Sequence, residues 1–269
     1  MLDRVDKLDR TVLWWAARHG YSGIADVLVQ VGVDIDKQDK CGYSALIVAC
    51  RWGHAGVVRV ILNRRPIGPK GHRVGCDFNL RTALGVTALA HATREGHGDI
   101  VRLLLSCGGD TNALDVDVVD KYRSMTPLLV AAQYDKDEIA AMLVQVGARL
   151  DAKDCNEATA LHLAAGTGNI TIVRILINPS AAMELAPRVI ARSPIKNIGD
   201  GGNSGNGGNG GDGGDGGNTD GSASFKSARY SMLDAQRSSD GKTALIISAA
   251  GGYLPIVRVL VLAGKPAFS

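Results

Sequence analysis

The chain has 269 residues, of which 45% are hydrophobic, and its formal net charge is only +3. This length and composition suit one or two packed domains, and the low charge favours neither nucleic acid nor an anionic membrane as a partner. Five cysteines lie far apart without a CxxC pair, so neither a zinc site nor a disulfide framework is predicted.

The first ten residues, MLDRVDKLDR, are charged and contain no apolar run of the signal-peptide type. The most apolar stretch near the C-terminus, residues 254–264, is too short to cross a bilayer. We therefore expect a soluble protein of a reducing compartment, the cytoplasm or alternatively the nucleus.

A repeated unit begins at residue 11 and recurs along the chain. Its first copy reads TVLWWAARHGYSGIADVLVQVGVDID (11–36), and its clearest copy reads TALAHATREGHGDIVRLLLSCGGDTNA (87–113). The other copies begin at Ser44, Thr126, Thr159 and Thr243. Each copy opens with a hydroxyl residue that can cap a helix and has Leu two residues later.

The spacing inside each copy predicts a helix, a tight turn, a second helix and an extended turn. Leucine and small alanines give the first helix a narrow apolar face, and a glycine nine residues after the cap ends it. Asp135 takes the place of that glycine in the fourth copy. The second helix is apolar at Ile100, Leu103 and Leu104, the stripe expected of a buried face.

These units resemble the ankyrin repeat, most directly at Thr126-Pro127-Leu128 and in TALHLAA (159–165). The resemblance covers six units and about three quarters of the chain. It implies an all-α ankyrin-repeat solenoid in which a finger-like turn follows each helix pair, and in which His162 ties neighbouring turns together. We predict a single array over residues 1–269, with repeats near 9–38, 39–80, 81–114, 115–153, 154–178 plus 232–239, and 240–266.

Three insertions interrupt the ankyrin-like period of about 33 residues. The largest contains GDGGNSGNGGNGGDGGDGGNTDG (199–221) and predicts a disordered Gly/Asn/Asp-rich insertion over 179–230, with a short helix near 181–186. Residues 232–236 read like the finger before the last unit, so we interpret this insertion as a loop inside one stack rather than a linker between domains. A shorter insertion within 114–124 lengthens one finger.

Another insertion, after Leu62, predicts an exposed basic loop, with an extension of the contact surface as the alternative. Its basic residues are Arg64, Arg65, Lys70 and Arg73.

Ankyrin stacks bind proteins through their fingers and the exposed side of their first helices, and the resemblance implies the same here. The exposed positions lie seven and eight residues after each capping residue. The candidate partner-binding residues are Arg18, His19, Arg51, Trp52, Arg94, Glu95, Gln133 and Tyr134. Three arginines beside two aromatic rings predict a ladder for an acidic or phosphorylated partner segment, with a solvated helix face as the alternative. Trp14 and Trp15 are interpreted as packing residues.

No spacing typical of a catalytic, cofactor or metal site occurs outside chance matches. Gly205, Gly207 and Gly210 have a GxGxxG spacing but lie in the glycine-rich tract. We therefore predict a non-catalytic protein-interaction module or scaffold without a cofactor. The alternative is the regulatory arm of a larger signalling enzyme, ubiquitin-ligase adaptor or channel. Neither end has the polar cap typical of a solenoid, so we expect a slice of a longer array, an incomplete gene model, or ends that dock on something.

Overall fold

The computed structural model describes residues 4–63, 76–107, 114–185, 233–237 and 239–264. The predicted basic loop after Leu62, the finger at 109–112 and residues 186–230 of the predicted disordered insertion lie outside these ranges. The predicted all-α repeat fold is confirmed in the described part, where the helices follow each other in pairs joined by short turns.

Each pair consists of an inner helix, which opens the unit, and an outer helix. The inner helices are α1 (Val12–His19), α3 (Ala45–Trp52), α5 (Ala88–Glu95), α7 (Pro127–Gln133), α9 (Ala160–Thr167) and α12 (Ala244–Ala250). The outer helices are α2 (Ser22–Gln30), α4 (Ala55–Asn63), α6 (Gly98–Ser106), α8 (Asp137–Gln145), α10 (Ile170–Ile177) and α13 (Leu254–Ala263). A short helix, α11 (Ala182–Leu185), follows α10 after one turn of 3₁₀ helix at Pro179–Ala181.

The inner helices begin and end as their sequences predict. The Thr11 hydroxyl accepts a hydrogen bond from the Trp14 backbone N–H at 3.0 Å, and Ser44, Thr87, Thr126 and Thr243 cap their helices in the same way. These bonds satisfy backbone donors that a helix leaves free at its start. Asp135 stands where the other copies have glycine, yet it adopts the same left-handed conformation with a φ of 54°. Aspartate is one of the few residues that tolerate this region.

The helices stack in two layers that share one core. Inner helices pack on inner helices from α1 through α12, and outer helices pack on outer helices from α2 through α13. The leucine two residues after each cap is at most 1% exposed in the first five units. Each buried leucine contributes roughly 1.5–3 kcal/mol, so this repeated position is a main source of the stability of the stack.

The fingers, which are the turns between one helix pair and the next, are joined by backbone hydrogen bonds. The carbonyls of Leu8, Cys41, Leu84 and Arg123 accept from the N–H groups of Lys40, Ala83, Lys121 and Cys155, at 2.8–3.1 Å. Gly42 has a φ of 80°, and a Cβ there would lie 2.8 Å from the Ala83 backbone nitrogen. This close approach requires glycine.

The segments on both sides of the glycine-rich insertion pack against each other. α12 packs on α9, and α13 packs on α10. His162 bonds through Nδ1 to the Thr159 backbone N–H at 3.2 Å, and its Nε2 lies 2.9 Å from the Ala235 carbonyl oxygen. Because Nδ1 accepts, Nε2 carries the proton and donates to that carbonyl. A residue before the insertion therefore holds the finger after it, which is the role predicted for this histidine.

The first residues of the predicted insertion form helix. Residues 179–185 are helical and pack on α8, where the Gln145 Nε2 donates to the Ala182 carbonyl at 2.9 Å. Ala182 is fully buried by this contact. The short helix predicted near 181–186 is confirmed as α11, and its contact with α8 is a packing surface that the loop composition does not reveal.

The first and last units expose positions that inner units bury. Ile24 is 49% exposed, whereas its counterpart Ile100 is fully buried. Leu245 is 37% exposed, whereas Leu161 is fully buried. No helix in the described ranges is both long and apolar enough to cross a membrane.

Candidate functional site: the basic ladder on the inner helices

The predicted partner-binding residues lie at the ends of the first four inner helices. Arg18 and His19 end α1, Arg51 and Trp52 end α3, and Arg94 and Glu95 end α5, while Gln133 ends α7 and Tyr134 follows it. We call the three arginines Arg18, Arg51 and Arg94 the basic ladder. Most of these side chains are exposed, and Arg18 and Gln133 are half-buried.

The first rung is stacked on an aromatic ring of the next unit. The Arg18 guanidinium carbon lies 3.6 Å from the centroid of the Trp52 ring. Such a contact contributes about 0.5–1 kcal/mol at an exposed site and holds the guanidinium plane in one orientation. Trp52 itself is 45% exposed, so the pair forms part of the surface rather than of the core.

The second rung is held by a tyrosine from the finger that precedes α3. The Arg51 Nη1 donates to the Tyr43 hydroxyl at 3.0 Å, and the guanidinium carbon lies 5.6 Å from the Tyr43 ring centroid. Trp52 lies 5.8 Å from the same group. The prediction did not include Tyr43, although its place directly before the capping Ser44 puts it beside the inner-helix surface.

The third rung lies between an aromatic ring and a carboxylate. The Arg94 guanidinium carbon lies 5.6 Å from the Tyr134 ring centroid, and its Nε lies 3.9 Å from a Glu95 carboxylate oxygen. Both partners of this ion pair are about half exposed, so solvent screens it and it contributes at most about 1 kcal/mol. Gln133, the remaining predicted residue of this region, is half-buried beside Tyr134 in the sequence.

A second aromatic cluster lies at the start of the ladder. The rings of Trp15, His19 and Tyr21 follow each other in stacked order, with centroids 5.8 Å and 5.6 Å apart. Arg10 lies 4.3 Å from the Trp15 ring centroid and is paired with Asp6 at 2.7 Å. Trp14 is half-buried and contacts the core, as expected of a packing residue. Trp15 is 39% exposed, so the interpretation as a packing residue suits it less well.

A buried histidine that the prediction missed lies beside Tyr43. His91 on α5 is 5% exposed, and its ring lies 5.6 Å from the Tyr43 ring. Neither ring nitrogen has a hydrogen-bond partner. Burial first, and then the positive charges of Arg51 and Arg94, lower the pKa of His91 to about 4. An alignment of the units could have identified this histidine, because the residues at the equivalent positions, Val48 and Val130, are apolar.

The acidic residues of the fingers are largely used inside their own turns. Asp39 accepts from the Cys41 and Tyr43 backbone N–H groups, and Asp120 and Asp154 bind their following turns in the same way. These carboxylates stabilise turns by Asx-type hydrogen bonds. Among the described residues no carboxylate forms an ion pair with Arg18 or Arg51.

Two other histidines support the helix turns. The His54 Nε2 lies 3.2 Å from the Arg18 carbonyl oxygen, and the His97 Nε2 lies 3.4 Å from the Arg51 carbonyl oxygen. Each of these histidines therefore has a structural role, because it fixes the end of the neighbouring inner helix that carries an arginine of the ladder. Within the described ranges no group of three or more metal-binding side chains lies together.

The inner-helix surface changes beyond the fourth unit. The equivalent positions on α9 are Gly166 and Thr167, and those at the end of α12 are Ala250 and Gly251. These residues carry neither charge nor aromatic ring. The inner-helix surface therefore has a basic, aromatic half on α1, α3, α5 and α7 and a neutral half on α9 and α12.

Comparison with known proteins agrees with this architecture. A family model described as ankyrin repeats, three copies, matches residues 13–115 and 112–186. The E3 ubiquitin-protein ligase XBAT33 of Arabidopsis thaliana is 40% identical over 50 residues, which are 19% of this chain and 10% of that protein. The aligned part is therefore a small fraction of that relative.

Proposed function

The chain belongs to the ankyrin-repeat family, and on this premise we propose that it is a non-catalytic protein-interaction module or scaffold. Its partner is a segment of another protein that carries acidic or phosphorylated residues. This segment binds along the basic half of the inner-helix surface. The observation that carries the proposal is the basic ladder, in which aromatic rings orient three arginines whose charges local carboxylates leave largely unneutralised.

The orientation of the ladder favours an anionic segment over an apolar one. A guanidinium stacked on a ring keeps its edge N–H groups available, and these match the geometry of carboxylate and phosphate oxygens. Because Arg18 is stacked on Trp52 before any partner binds, little further side-chain entropy is lost on binding. The exposed Trp52 and Tyr134 rings add the apolar contacts that are frequent at interface hot spots.

Affinity capture with matched variants tests this proposal. The test variant is Arg18→Glu/Arg51→Glu/Arg94→Glu, and the control is Arg59→Glu/Arg174→Glu/Arg258→Glu, which makes the same charge change on exposed outer-helix positions. We expect proteins with acidic or phosphorylated segments to be captured by the native chain and the control and lost from the test variant, with helicity unchanged in both. Capture of the same proteins by the test variant would contradict the proposal.

The second candidate is the substrate-binding arm of a ubiquitin ligase or a similar regulatory arm. The similarity to XBAT33, a ubiquitin-protein ligase, favours it, although it covers only 10% of that protein. In this case a captured partner becomes ubiquitinated in cells when the natural full-length protein is present. An unchanged ubiquitination level of the partner after deletion of the gene would contradict this candidate.

The proposed compartment is the cytoplasm, with the nucleus as the alternative. All five cysteines are free thiols, and Cys50 and Cys76 are buried. Free buried thiols suit a reducing compartment. Microscopy of a fluorescent fusion is the test, and a signal confined to the secretory pathway would contradict this assignment.

A further inference from the structure

The tips of the first four fingers, which precede α1, α3, α5 and α7, lie next to one another in a row. The carbonyl of each tip residue accepts a hydrogen bond from the N–H group directly before the next tip residue, at 2.8–3.1 Å. These bonds join Leu8 to Lys40, Cys41 to Ala83, and Leu84 to Lys121. We call the four tip residues Leu8, Cys41, Leu84 and Tyr122 the fingertip row.

The fingertip row is apolar although the core does not need its side chains. Leu8 is 49% exposed, Leu84 is 62% exposed and Tyr122 is 82% exposed, while Cys41 is an exposed thiol. Side chains with this exposure contribute little to packing between the units. Neighbouring exposed apolar side chains often mark an interaction site.

The fingertip row ends at the same unit as the basic ladder. In the fifth finger, the N–H of Cys155 bonds to the carbonyl of the fourth finger, and the exposed tip residue that follows is the polar Asn156. The inner helix of that unit, α9, ends in Gly166 and Thr167, which carry neither charge nor ring. Because the core depends on neither feature, their common extent indicates a single interface over the first four units.

Aromatic side chains connect the fingertip row to the inner-helix surface. Tyr43 lies two residues after Cys41, and its hydroxyl accepts a hydrogen bond from Arg51 at 3.0 Å. Trp15 on α1 donates through Nε1 to Asp6 of the first finger at 3.3 Å. The fingers and the basic half of the inner-helix surface are therefore parts of one continuous surface.

Lysines extend the positive charge of the ladder into the fingers. Lys7, Lys40 and Lys121 directly precede three of the four tip residues, and all three are exposed. Ala83 and Cys155 take this place in the third and fifth fingers. The fingers of the basic half thus present apolar and basic side chains side by side. Such a surface is complementary to a ligand that carries both apolar and anionic groups.

We propose that the fingertip row is a second part of the partner-binding surface, and that it selects segments in which apolar residues stand between the acidic or phosphorylated ones. This inference rests on the proposed function, because it specifies what else the anionic segment contains. The arginines and lysines bind the anionic groups. Leu84 and Tyr122, the most exposed tip residues, bind the apolar side chains, so a uniformly acidic segment binds more weakly.

Two peptides of equal length and equal glutamate content test this selection. One peptide has leucine between its glutamates, and the other has serine at the same places. Isothermal titration calorimetry with the whole chain measures both affinities. Nuclear magnetic resonance of the Leu84 methyl groups and the Tyr122 ring locates the contact, with the methyl groups of the exposed Leu262 on α13 as the internal reference.

We expect the leucine peptide to bind about tenfold more tightly than the serine peptide, because its apolar side chains leave water on binding. Its addition should shift the signals of Leu84 and Tyr122 but not those of Leu262. The variant Leu84→Ser/Tyr122→Ser should bind both peptides equally, with the native affinity for the serine peptide and unchanged helicity.

The matched control removes apolar side chains of similar exposure elsewhere. Met183→Ser/Leu262→Ser changes residues that are 52% and 67% exposed on α11 and α13, and it should keep the preference for the leucine peptide. Equal affinity of the native chain for both peptides would overturn the role of the fingertip row and leave the basic ladder as the binding surface. An unchanged preference in Leu84→Ser/Tyr122→Ser would overturn it as well. Failure of both peptides to bind would contradict the proposed function and this inference together.

Discussion

The basic and the neutral halves of the inner-helix surface are built on the same framework but have different chemistry. Leu89 in the basic half and Leu161 in the neutral half occupy the same repeat position and are both fully buried. Arg94 and Gly166 also occupy the same repeat position, yet one is a stacked cation and the other has no side chain. Packing positions are repeated because every unit needs them, whereas exposed positions can differ from one unit to the next without disturbing the core.

The largest expected effect is on the free energy of unfolding when a buried leucine is truncated. Comparing one leucine from each half tests whether the two halves are packed alike. We expect Leu89→Ala and Leu161→Ala each to lower the free energy of unfolding by about 2–5 kcal/mol, because each leaves a cavity in the shared core. Urea denaturation followed by circular dichroism is the measurement. A cost several-fold smaller in one half would mean that the two halves are not packed alike. Leu245→Ala is the control, since this leucine is 37% exposed and should cost much less.

The next largest effect is on the pH dependence of stability, to which the buried histidines of both halves contribute. The pKa of His91 is lowered to about 4, and burial also lowers the pKa of His162. The unfolded chain binds these protons at about pH 6.5, so stability is highest above that value and falls as the pH decreases. For His91 the loss reaches about 3 kcal/mol at pH 4.

Unfolding free energies measured from neutral to acidic pH check this sign. His91→Leu should be more stable than the native chain at neutral pH and should lose part of the acid sensitivity. A native chain whose stability does not change between pH 7 and pH 5 would contradict the assignment of a neutral, unpaired His91.

A double-mutant cycle measures the stacking in the basic half. With Arg18→Ala and Trp52→Ala, we expect a coupling energy of about 0.5–1 kcal/mol in urea denaturation. Arg94 and Tyr134 form the matched pair, and their coupling should be smaller because the guanidinium lies 5.6 Å from the ring centroid rather than 3.6 Å. A coupling of zero for Arg18 and Trp52 would mean that the arginine is not oriented before binding.

The smallest effect comes from extending the basic half into the neutral one. Gly166 lies in α9, and a Cβ there would meet only Ile247 at an ordinary distance of 3.7 Å. We expect Gly166→Arg to raise stability by about 0.5–1 kcal/mol through helix propensity and to increase affinity for an oligoglutamate peptide a few-fold. Gly166→Ala is the control for the helix effect. Equal peptide binding by both variants would show that charge at this position does not extend the surface.

Much of the fold follows from the sequence because each unit repeats the same local rules. Capping hydroxyls, apolar stripes and left-handed turn residues predict both helices of every unit. Even Asp135 adopts the left-handed conformation of the glycine that other units have at this position. The place of the ladder also follows, since a residue seven positions after a cap lies on the exposed side of an inner helix.

The rest depends on contacts between units, which a repeat alignment does not contain. Tyr43 bonds to Arg51, and it also contacts His91, a residue of the following unit. The helix at 182–185 forms because α8 offers Gln145 and a packing surface. The contact between Tyr43 and His91 and the packing of residues 182–185 on α8 both depend on side chains that are distant in sequence.

The central proposal is that the basic half of the inner-helix surface binds an anionic segment. Hydrogen–deuterium exchange of the whole chain with an oligoglutamate peptide, and with oligoglutamine as the control, tests it most directly. We predict protection by oligoglutamate alone, located at the ends of α1, α3 and α5, and lost in Arg18→Glu/Arg51→Glu/Arg94→Glu but kept in the outer-helix control variant. Protection on the outer helices, or equal protection in the triple arginine variant, would contradict binding of an anionic segment by the basic half of the inner-helix surface.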